Sequence, residues 1–116
     1  MPERSALADA TTTVGELKEA VCRFVAERHW GPYHSPKNLA MALAVEAAEL
    51  MEPFLWLKTE ESRGVAADPT VRAALADELA DVTFQLLNLC LTLDIDLSDA
   101  FAAKLVKNAQ KYPAGA

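Results

Sequence analysis

Apolar residues recur every three to four positions along four stretches of the chain, and this spacing predicts four amphipathic helices. The first is expected over residues 14–29, the second from 36 to about 52, the third over about 70–93, and the fourth from Ser98 to about 112. Short polar or proline-containing segments separate these stretches, as is typical of antiparallel helix bundles. The pattern therefore predicts an all-α fold, a four-helix bundle.

Polar residues that can accept a hydrogen bond from the first free amides stand at the expected helix starts. They are Thr13 with Glu16 in a capping box, Ser35 before Pro36, Asp68 before Pro69, and Ser98. Pro53 is expected to end or kink the second helix, because proline lacks an amide hydrogen and its ring collides with the preceding turn. The stretch "FLWLK" can add a further turn or two, and "TEESRGVAADP" is expected to be a mobile connection.

A length of 116 residues with 52% hydrophobic content favours one domain. Alanine and leucine dominate and β-branched residues are sparse, which supports the all-α class. We expect a flexible N-terminal tail over residues 1–12, a helical domain over 13–113 and a short C-terminal tail over 114–116.

The chain is acidic, with a net charge of -6 and a pI near 4.8. This balance argues against a nucleic-acid polymer or an anionic membrane as a partner, since both need a basic surface. A small anionic ligand stays possible where a divalent cation bridges it to carboxylates. Cys22 and Cys90 form no close-spaced motif, and the start has no apolar signal core, so a cytoplasmic location is expected.

Two glutamates interrupt the apolar face of the second helix. Glu46 falls within the stripe formed by Leu39, Leu43 and Leu50, and Glu49 lies beside it one turn further along. An unpaired, ionised carboxylate on a buried stripe costs several kcal/mol, or takes up a proton instead. Something must therefore compensate these charges.

The third helix carries a second acidic pair. Glu78 and Asp81 are again three residues apart, and Gln85 extends their polar row by one turn. The adjoining core stripe is expected to comprise Leu75, Leu79, Val82, Leu86 and Leu89. Antiparallel helices packed about 8–10 Å apart would bring the four carboxylates together, where they repel one another unless a cation binds. We therefore predict a Mg²⁺ site suited to a phosphate substrate; the alternative is a solvated acidic face, since a single E-x-x-E is common on helices.

Several segments together resemble one known family. The segments "EAAE" at 46–49 and "ELAD" at 78–81 resemble the E-x-x-E…E-x-x-D signature of MazG-like all-α nucleoside triphosphate pyrophosphohydrolases. The stretches "ERHWGPYHSPKNLAMALAVEAAEL", "FLWLK" and "KLVKNAQKYP" further resemble the dCTP pyrophosphatase branch, over roughly residues 17–113. The resemblance implies Mg²⁺-dependent cleavage of dCTP, or a related (d)NTP, to monophosphate and pyrophosphate. It also implies a homodimer or homotetramer that completes the helical bundle.

The resemblance implies roles for individual residues as well. The Mg²⁺ ligands are expected to be Glu46, Glu49, Glu78 and Asp81. We expect Glu46, Glu49 and Lys104 to act in catalysis. Glu49 flanks the apolar stripe and can face both metal and solvent, so it would orient the attacking water, while Lys104 would offset phosphate charge. The nucleotide is expected to contact Trp30, His34, Asn38, Trp56, Gln85, Lys104, Asn108 and Tyr112. The two tryptophans would line the base pocket. An indole can equally well pack at the end of the bundle or in an oligomer interface, so this structural role is the alternative.

Three positions, Val21, Pro53 and Gln85, depart from the family pattern and bear on the base preference. They leave open a second hypothesis, in which the chain is a non-catalytic helical oligomer that binds a nucleotide or a protein. The complete set of four acidic residues argues against it, because a binding module has little need for a repulsive cluster. A third hypothesis keeps the fold but changes the substrate, as in phosphoribosyl-ATP pyrophosphohydrolase; the paired tryptophans and "KNAQKYP" favour the dCTP pyrophosphatase branch.

Overall fold

The computed structural model describes residues 6–115, and every regular element in that range is helical. The α-helices are α1 (Val14–Glu27), α2 (Pro36–Met51), α3 (Thr59–Ser62), α4 (Pro69–Leu93) and α5 (Leu97–Lys111). Single 3-10 turns occupy Gly31–Tyr33, Glu52–Phe54 and Val65–Ala67. The predicted all-α class is confirmed. Residues 1–5 and 116 of the expected tails lie outside the described residues, and the domain limits stay a prediction.

Three of the four expected capping residues start the helices that they precede. The Thr13 hydroxyl accepts from the amide of Glu16 in a complete capping box. The Ser35 hydroxyl accepts from the amide of Asn38 at 3.1 Å. A carboxylate oxygen of Asp68 accepts from the amide of Thr70 at 2.9 Å. These bonds satisfy amides that have no partner inside their helix, so the sequence-based starts of α1, α2 and α4 are confirmed.

The predicted cap of α5 was wrong. Asp96, rather than Ser98, accepts a hydrogen bond from the amide of Asp99, at 2.9 Å. The helix consequently begins at Leu97, and Ser98 lies inside its first turn. A carboxylate at the N-terminus of a helix also interacts favourably with the helix dipole, an advantage that the serine hydroxyl lacks.

The helix ends follow local backbone chemistry. The first helix stops at Glu27, two residues before the expected end, because His29 adopts a left-handed backbone with φ 54°. The amide of Trp30 then turns back to the carbonyl of Val25 at 3.2 Å. The second helix ends at Met51, and Pro53 lies in the 3-10 turn that follows it, as expected for a residue without an amide hydrogen.

The segment between α2 and α4 has more regular structure than the sequence pattern predicted. It contains the short helix α3 and the 3-10 turn Val65–Ala67, and this turn packs against α4. The carboxylate of Glu61 accepts from the amide of Lys58 at 2.8 Å, which caps α3. The stretch "TEESRGVAADP" therefore contains regular elements, and its expected mobility stays a prediction.

The central element of the fold is α4, which packs most extensively against α2 and next against α1. The buried hydrophobic residues within 6–115 are Val21, Leu39, Leu87 and Cys90, of which Leu39 is the most completely enclosed. Leu79, which the sequence placed in the core stripe of α4, is instead 52% exposed. It borders an open apolar groove of about 920 Å³ between α1 and α4. The core of one chain is therefore small.

The helix α5 leaves this packed unit and stays exposed along its length, apart from its first residue. Phe101, Leu105 and Val106 are 64%, 55% and 60% exposed. Apolar side chains in such a row on a helix are ordinarily covered by another element. The four long helices are present as predicted. The completion of the bundle by a second copy stays a prediction.

Across residues 6–115, no helix combines the length and the apolar content needed to cross a lipid bilayer. Both cysteines are free. The cytoplasmic location inferred from the sequence stays a prediction.

Candidate functional site

The packing of α2 against α4 brings three acidic side chains into one cluster. Carboxylate oxygens of Glu46, Glu49 and Glu78 all lie within 4.8 Å of one another. Glu46 and Glu49 occupy neighbouring turns of α2, and Glu78 faces them from α4. Glu46 and Glu78 are partly buried, while Glu49 is exposed. We call these three residues the acidic triad.

Asp81 is the one predicted metal ligand that does not join the acidic triad. It lies three residues after Glu78 on the same helix, and its side chain is exposed. Its charge nevertheless acts on Glu46 and contributes to raising the pKa of that carboxyl. Asp81 thus stands at the edge of the cluster, close enough for its charge to act on it.

The acidic triad resists full ionisation. Partial burial raises the pKa of Glu78 from 4.5 to about 7, and the adjacent Glu46 carboxyl and the charge of Glu49 add to the effect. Burial also raises the pKa of Glu46; the neighbouring Glu78 carboxyl lowers it, and the charges of Glu49 and Asp81 raise it. Both shifts express the cost of holding like charges together away from water. A positive ion at this position would remove that cost.

Two oxygens of the acidic triad are buried without a hydrogen-bond partner. They are Oε2 of Glu46 and Oε2 of Glu78, and Oε1 of Gln85 is in the same condition. A buried acceptor with no donor is costly, so each such atom in a native protein calls for a partner. Hard carboxylate oxygens suit Mg²⁺, and oxygens on opposite sides of that ion lie about 4 Å apart. The spacing and the free oxygens of the triad therefore fit a divalent cation of this kind.

An aromatic cluster lies at the other end of the polar row on α4. The ring of Trp30, which is 40% exposed, meets Phe24 edge-on at 5.6 Å and His34 at 6.1 Å between ring centroids. Phe24 meets Phe84 of α4 at 5.7 Å. His34 is hydrogen-bonded to the side chain of Asn88 at 2.9 Å. Trp30 is thus held from two sides while part of its face stays open.

The other expected nucleotide contacts are not assembled into a closed pocket by one chain. Trp56 is 93% exposed. The side-chain Nδ2 of Asn38 donates to the carbonyl of Tyr33 at 3.0 Å and so stabilises the start of α2. Lys104, Asn108 and Tyr112 are exposed on or just after α5, which is not among the helices that pack extensively in residues 6–115. Their predicted roles in binding stay predictions.

Asn88 is a polar residue of this region that the sequence analysis missed. It is 6% exposed and lies on α4 one turn beyond Gln85. The signal was present, because "LLNLC" places one amide inside an otherwise apolar run. Its partner is His34, which is 54 positions away in the chain, so no local pattern could identify the bond.

Comparisons with known proteins agree with this architecture. Residues 41–116 match the model of the MazG-like family, and this range covers most of α2 and all of α4 and α5, with both acidic pairs. The chain also superimposes on the crystal structure of a pyrophosphatase from Archaeoglobus fulgidus with a TM-score of 0.81 and 34% identity, over 92% of this chain and 98% of that one. The protein belongs to the MazG-like family.

The chain is also similar to mammalian proteins. The chain is 39% identical to dCTP pyrophosphatase 1 of Mus musculus over 101 residues, which are 87% of this chain and 59% of the mouse protein. It is 37% identical to dCTP pyrophosphatase 1 of Homo sapiens over 102 residues, 88% of this chain and 60% of the human protein. The chain therefore spans less than two thirds of the length of these relatives.

Proposed function

We propose that this protein is a Mg²⁺-dependent nucleoside triphosphate pyrophosphohydrolase that cleaves dCTP, or a related deoxynucleotide, to the monophosphate and pyrophosphate. The observation that carries the proposal is the acidic triad, in which two buried oxygens lack partners and the pKa of Glu78 is raised to about 7. Membership of the MazG-like family and the similarity to proteins named dCTP pyrophosphatase supply the reaction class and the candidate base.

The cation would be held by the acidic triad, with Asp81 at its edge. When bound, Mg²⁺ supplies charge neutralisation and polarisation of the phosphate oxygens at the scissile anhydride. Glu46 and Glu78 are partly buried, so their oxygens are fixed by the packing of α2 on α4. The triphosphate would approach from the solvent side of the cluster, where Glu49 is exposed.

Glu49 is our candidate for the residue that orients and deprotonates the attacking water. It is the exposed member of the triad, so it can contact solvent and the metal ligands together. A carboxylate can accept the proton of a water molecule within hydrogen-bond reach as the oxygen attacks phosphorus. Lys104 would offset the charge that develops on the pyrophosphate leaving group. In this scheme Glu49 would act on the attacking water, and Lys104 would act on the leaving group.

The base would stack on Trp30, whose ring is already fixed by its contacts with Phe24 and His34. Trp56 would complete the pocket; its 93% exposure in one chain supports the idea that substrate or a second copy covers it. The unpartnered oxygen of Gln85, a residue of α4 between Glu78 and Asn88 in the chain, is a hydrogen-bond acceptor. An amino group of the nucleotide or a bound water would satisfy it.

We further propose that the active form is a homodimer or homotetramer. The apolar residues of α5 and the apolar groove between α1 and α4 are both open in the single chain. Lys104, Asn108 and Tyr112 lie on or beside the same helix, so assembly would bring them to a site built by two copies. The substrate pocket would then be complete only in the oligomer.

Replacement of Glu46 by glutamine tests the metal role. The change keeps the shape of the side chain but removes a charge from the acidic triad, so turnover of dCTP with Mg²⁺ should fall at least about a hundredfold. Glu19→Gln is the matched control, since Glu19 is exposed on α1 and is not a member of the triad. Circular dichroism checks that both variants keep their helices. Unchanged turnover in a folded Glu46→Gln protein would remove the acidic triad from the proposal.

A further inference from the structure

Asn88 is the one buried polar residue within the described range 6–115. It lies on α4 beside Leu87 and two residues before Cys90, both of which belong to the buried core. Placing an amide in such surroundings is unfavourable unless its hydrogen bonds are made. An apolar residue would fill this position more simply, so the amide calls for a specific explanation.

The partner of this amide is a histidine from a distant part of the chain. The Nδ2 atom of Asn88 lies 2.9 Å from Nδ1 of His34, which follows the 3-10 turn Gly31–Tyr33. An amide nitrogen can only donate, so Nδ1 must accept, and the ring hydrogen of the neutral imidazole stands on Nε2. Within residues 6–115, the side-chain hydrogen bond of His34 is the one at Nδ1, and Nε2 has no protein partner. That donor is therefore available to a ligand or to water.

The hydrogen bond between Asn88 and His34 completes a series of side-chain contacts that begins and ends on α4. Phe84 meets Phe24 at 5.7 Å, Phe24 meets Trp30 at 5.6 Å, and Trp30 meets His34 at 6.1 Å. His34 then returns to α4 through Asn88, one helical turn beyond Phe84. All three aromatic contacts are edge-on, a favoured arrangement for such rings. The orientation of Trp30 therefore depends on both attachments to α4, one through Phe84 and the other through Asn88.

We propose that Asn88 is a positioning residue for the nucleobase. It fixes the Nε2–H tautomer and the orientation of the His34 imidazole, and through that ring it holds Trp30 in the orientation that receives the base. The inference rests on the proposed function, because it assigns the base to Trp30. Asn88 itself does not touch the nucleotide and does not contact the acidic triad. It should therefore affect the binding of the base and leave the chemical step nearly unchanged.

The tautomer can be read directly by NMR, without any enzymatic assay. The chain has two histidines, so a protein labelled with a nitrogen isotope in the His29→Asn background shows the ring nitrogens of His34 alone. Asparagine suits this background, because it tolerates the left-handed backbone of residue 29 better than most residues do. The spectrum should show the hydrogen on Nε2 in this background. Asn88→Asp keeps the shape but can only accept when ionised, so it should move the hydrogen to Nδ1.

The functional consequence is measured in the otherwise unchanged chain. Asn88→Ala and Asn88→Asp should each weaken the binding of dCTP, and of a non-hydrolysable dCTP analogue, about five- to tenfold, with kcat changed less than about twofold. Thr92→Val is the matched control, because it removes a hydrogen bond one turn further along α4 and leaves the Asn88 side chain in place. Circular dichroism confirms folding, and the combined fluorescence of Trp30 and Trp56 reports whether the surroundings of either indole have changed.

Two results would overturn the inference. One is a wild-type tautomer with the hydrogen on Nδ1, or one that Asn88→Asp leaves unchanged. The other is equal affinity of wild type and both Asn88 variants for the analogue. Failure of the proposed function would give a distinct result: wild-type protein would hydrolyse no nucleoside triphosphate with any divalent metal. That outcome does not depend on the NMR spectrum of His34.

Discussion

Among single residues, the three glutamates of the acidic triad lower the stability of the metal-free fold instead of raising it. Three carboxylates converge within 4.8 Å, and two of their buried oxygens have no partner. The raised pKa values of Glu46 and Glu78 mean that these carboxyls keep their protons to a higher pH in the folded, metal-free protein than free glutamate side chains do. Functional sites concentrate such perturbed groups, because a ligand removes their cost when it binds.

The pH dependence of stability follows from these shifts. The folded pKa of Glu78, about 7, exceeds its unfolded value of 4.5, so folding is favoured by protonation. This contribution is complete below about pH 4.5 and is lost as the pH rises through about 7. We expect the free energy of unfolding of metal-free protein, measured with urea in the presence of a chelator, to fall across this window.

A variant isolates the group responsible. Glu78→Gln cannot ionise, so its unfolding free energy should depend less on pH in this window and exceed that of wild type above pH 7. The same variant should lose turnover, since it lacks a proposed metal ligand. An identical pH profile in the two proteins would show that Glu78 is not the group that carries the dependence.

At the scale of helices, the capping residues decide where each element starts. Asp96 accepts from the amide of Asp99, while Ser98 is already inside α5. Asp96→Ala should therefore destabilise α5 by about 1 kcal/mol, whereas Ser98→Ala should change it by less than about 0.5 kcal/mol. Amide hydrogen exchange along α5 measures this, because the helix is exposed and opens locally. Equal effects of the two alanines would contradict the assignment of the cap.

Much of the element pattern could be predicted from the sequence, and the exceptions have a common cause. Thr13, Ser35 and Asp68 were recognisable caps because each is the obvious acceptor before its helix. The stretch "DIDLSD" offers several acceptors, so Asp96 and Ser98 compete and only the folded backbone selects one. Leu79 was misassigned to the core because its position depends on how α1 and α4 separate, which the periodicity of α4 alone does not contain.

The candidate site was predictable to the same extent. The spacing within each helix pointed to the acidic triad, since Glu46 falls on an apolar stripe. Asp81 shares the motif but stays at the edge of the cluster, because the rotation of α4 about its axis decides which of its acids faces α2. Asn88 could not be assigned a partner, since its bond to His34 depends on tertiary packing.

At the scale of the whole molecule, the single chain is expanded. Its radius of gyration is 16.9 Å, whereas a compact domain of this length has about 13 Å. The difference agrees with an α5 that leaves the packed unit and exposes a row of apolar side chains. A second copy that covers this row would make the assembly more compact than the separate chains and would enlarge a small core.

The assembly can be tested through α5. Phe101→Lys places a charge at the start of the apolar row, so analytical ultracentrifugation should show a shift from dimer or tetramer towards monomer. Gln110→Lys is the matched control, because it adds the same charge to an exposed polar position on the same helix. A wild-type protein that sediments as a monomer at all concentrations would refute the proposed oligomer.

The most direct test of the central claim is an analysis of the products from dCTP by phosphorus NMR. Wild-type protein with Mg²⁺ should release dCMP and pyrophosphate, and removal of the metal by a chelator should stop the reaction. Release of dCDP and orthophosphate, or an undiminished rate in excess chelator, would contradict this claim.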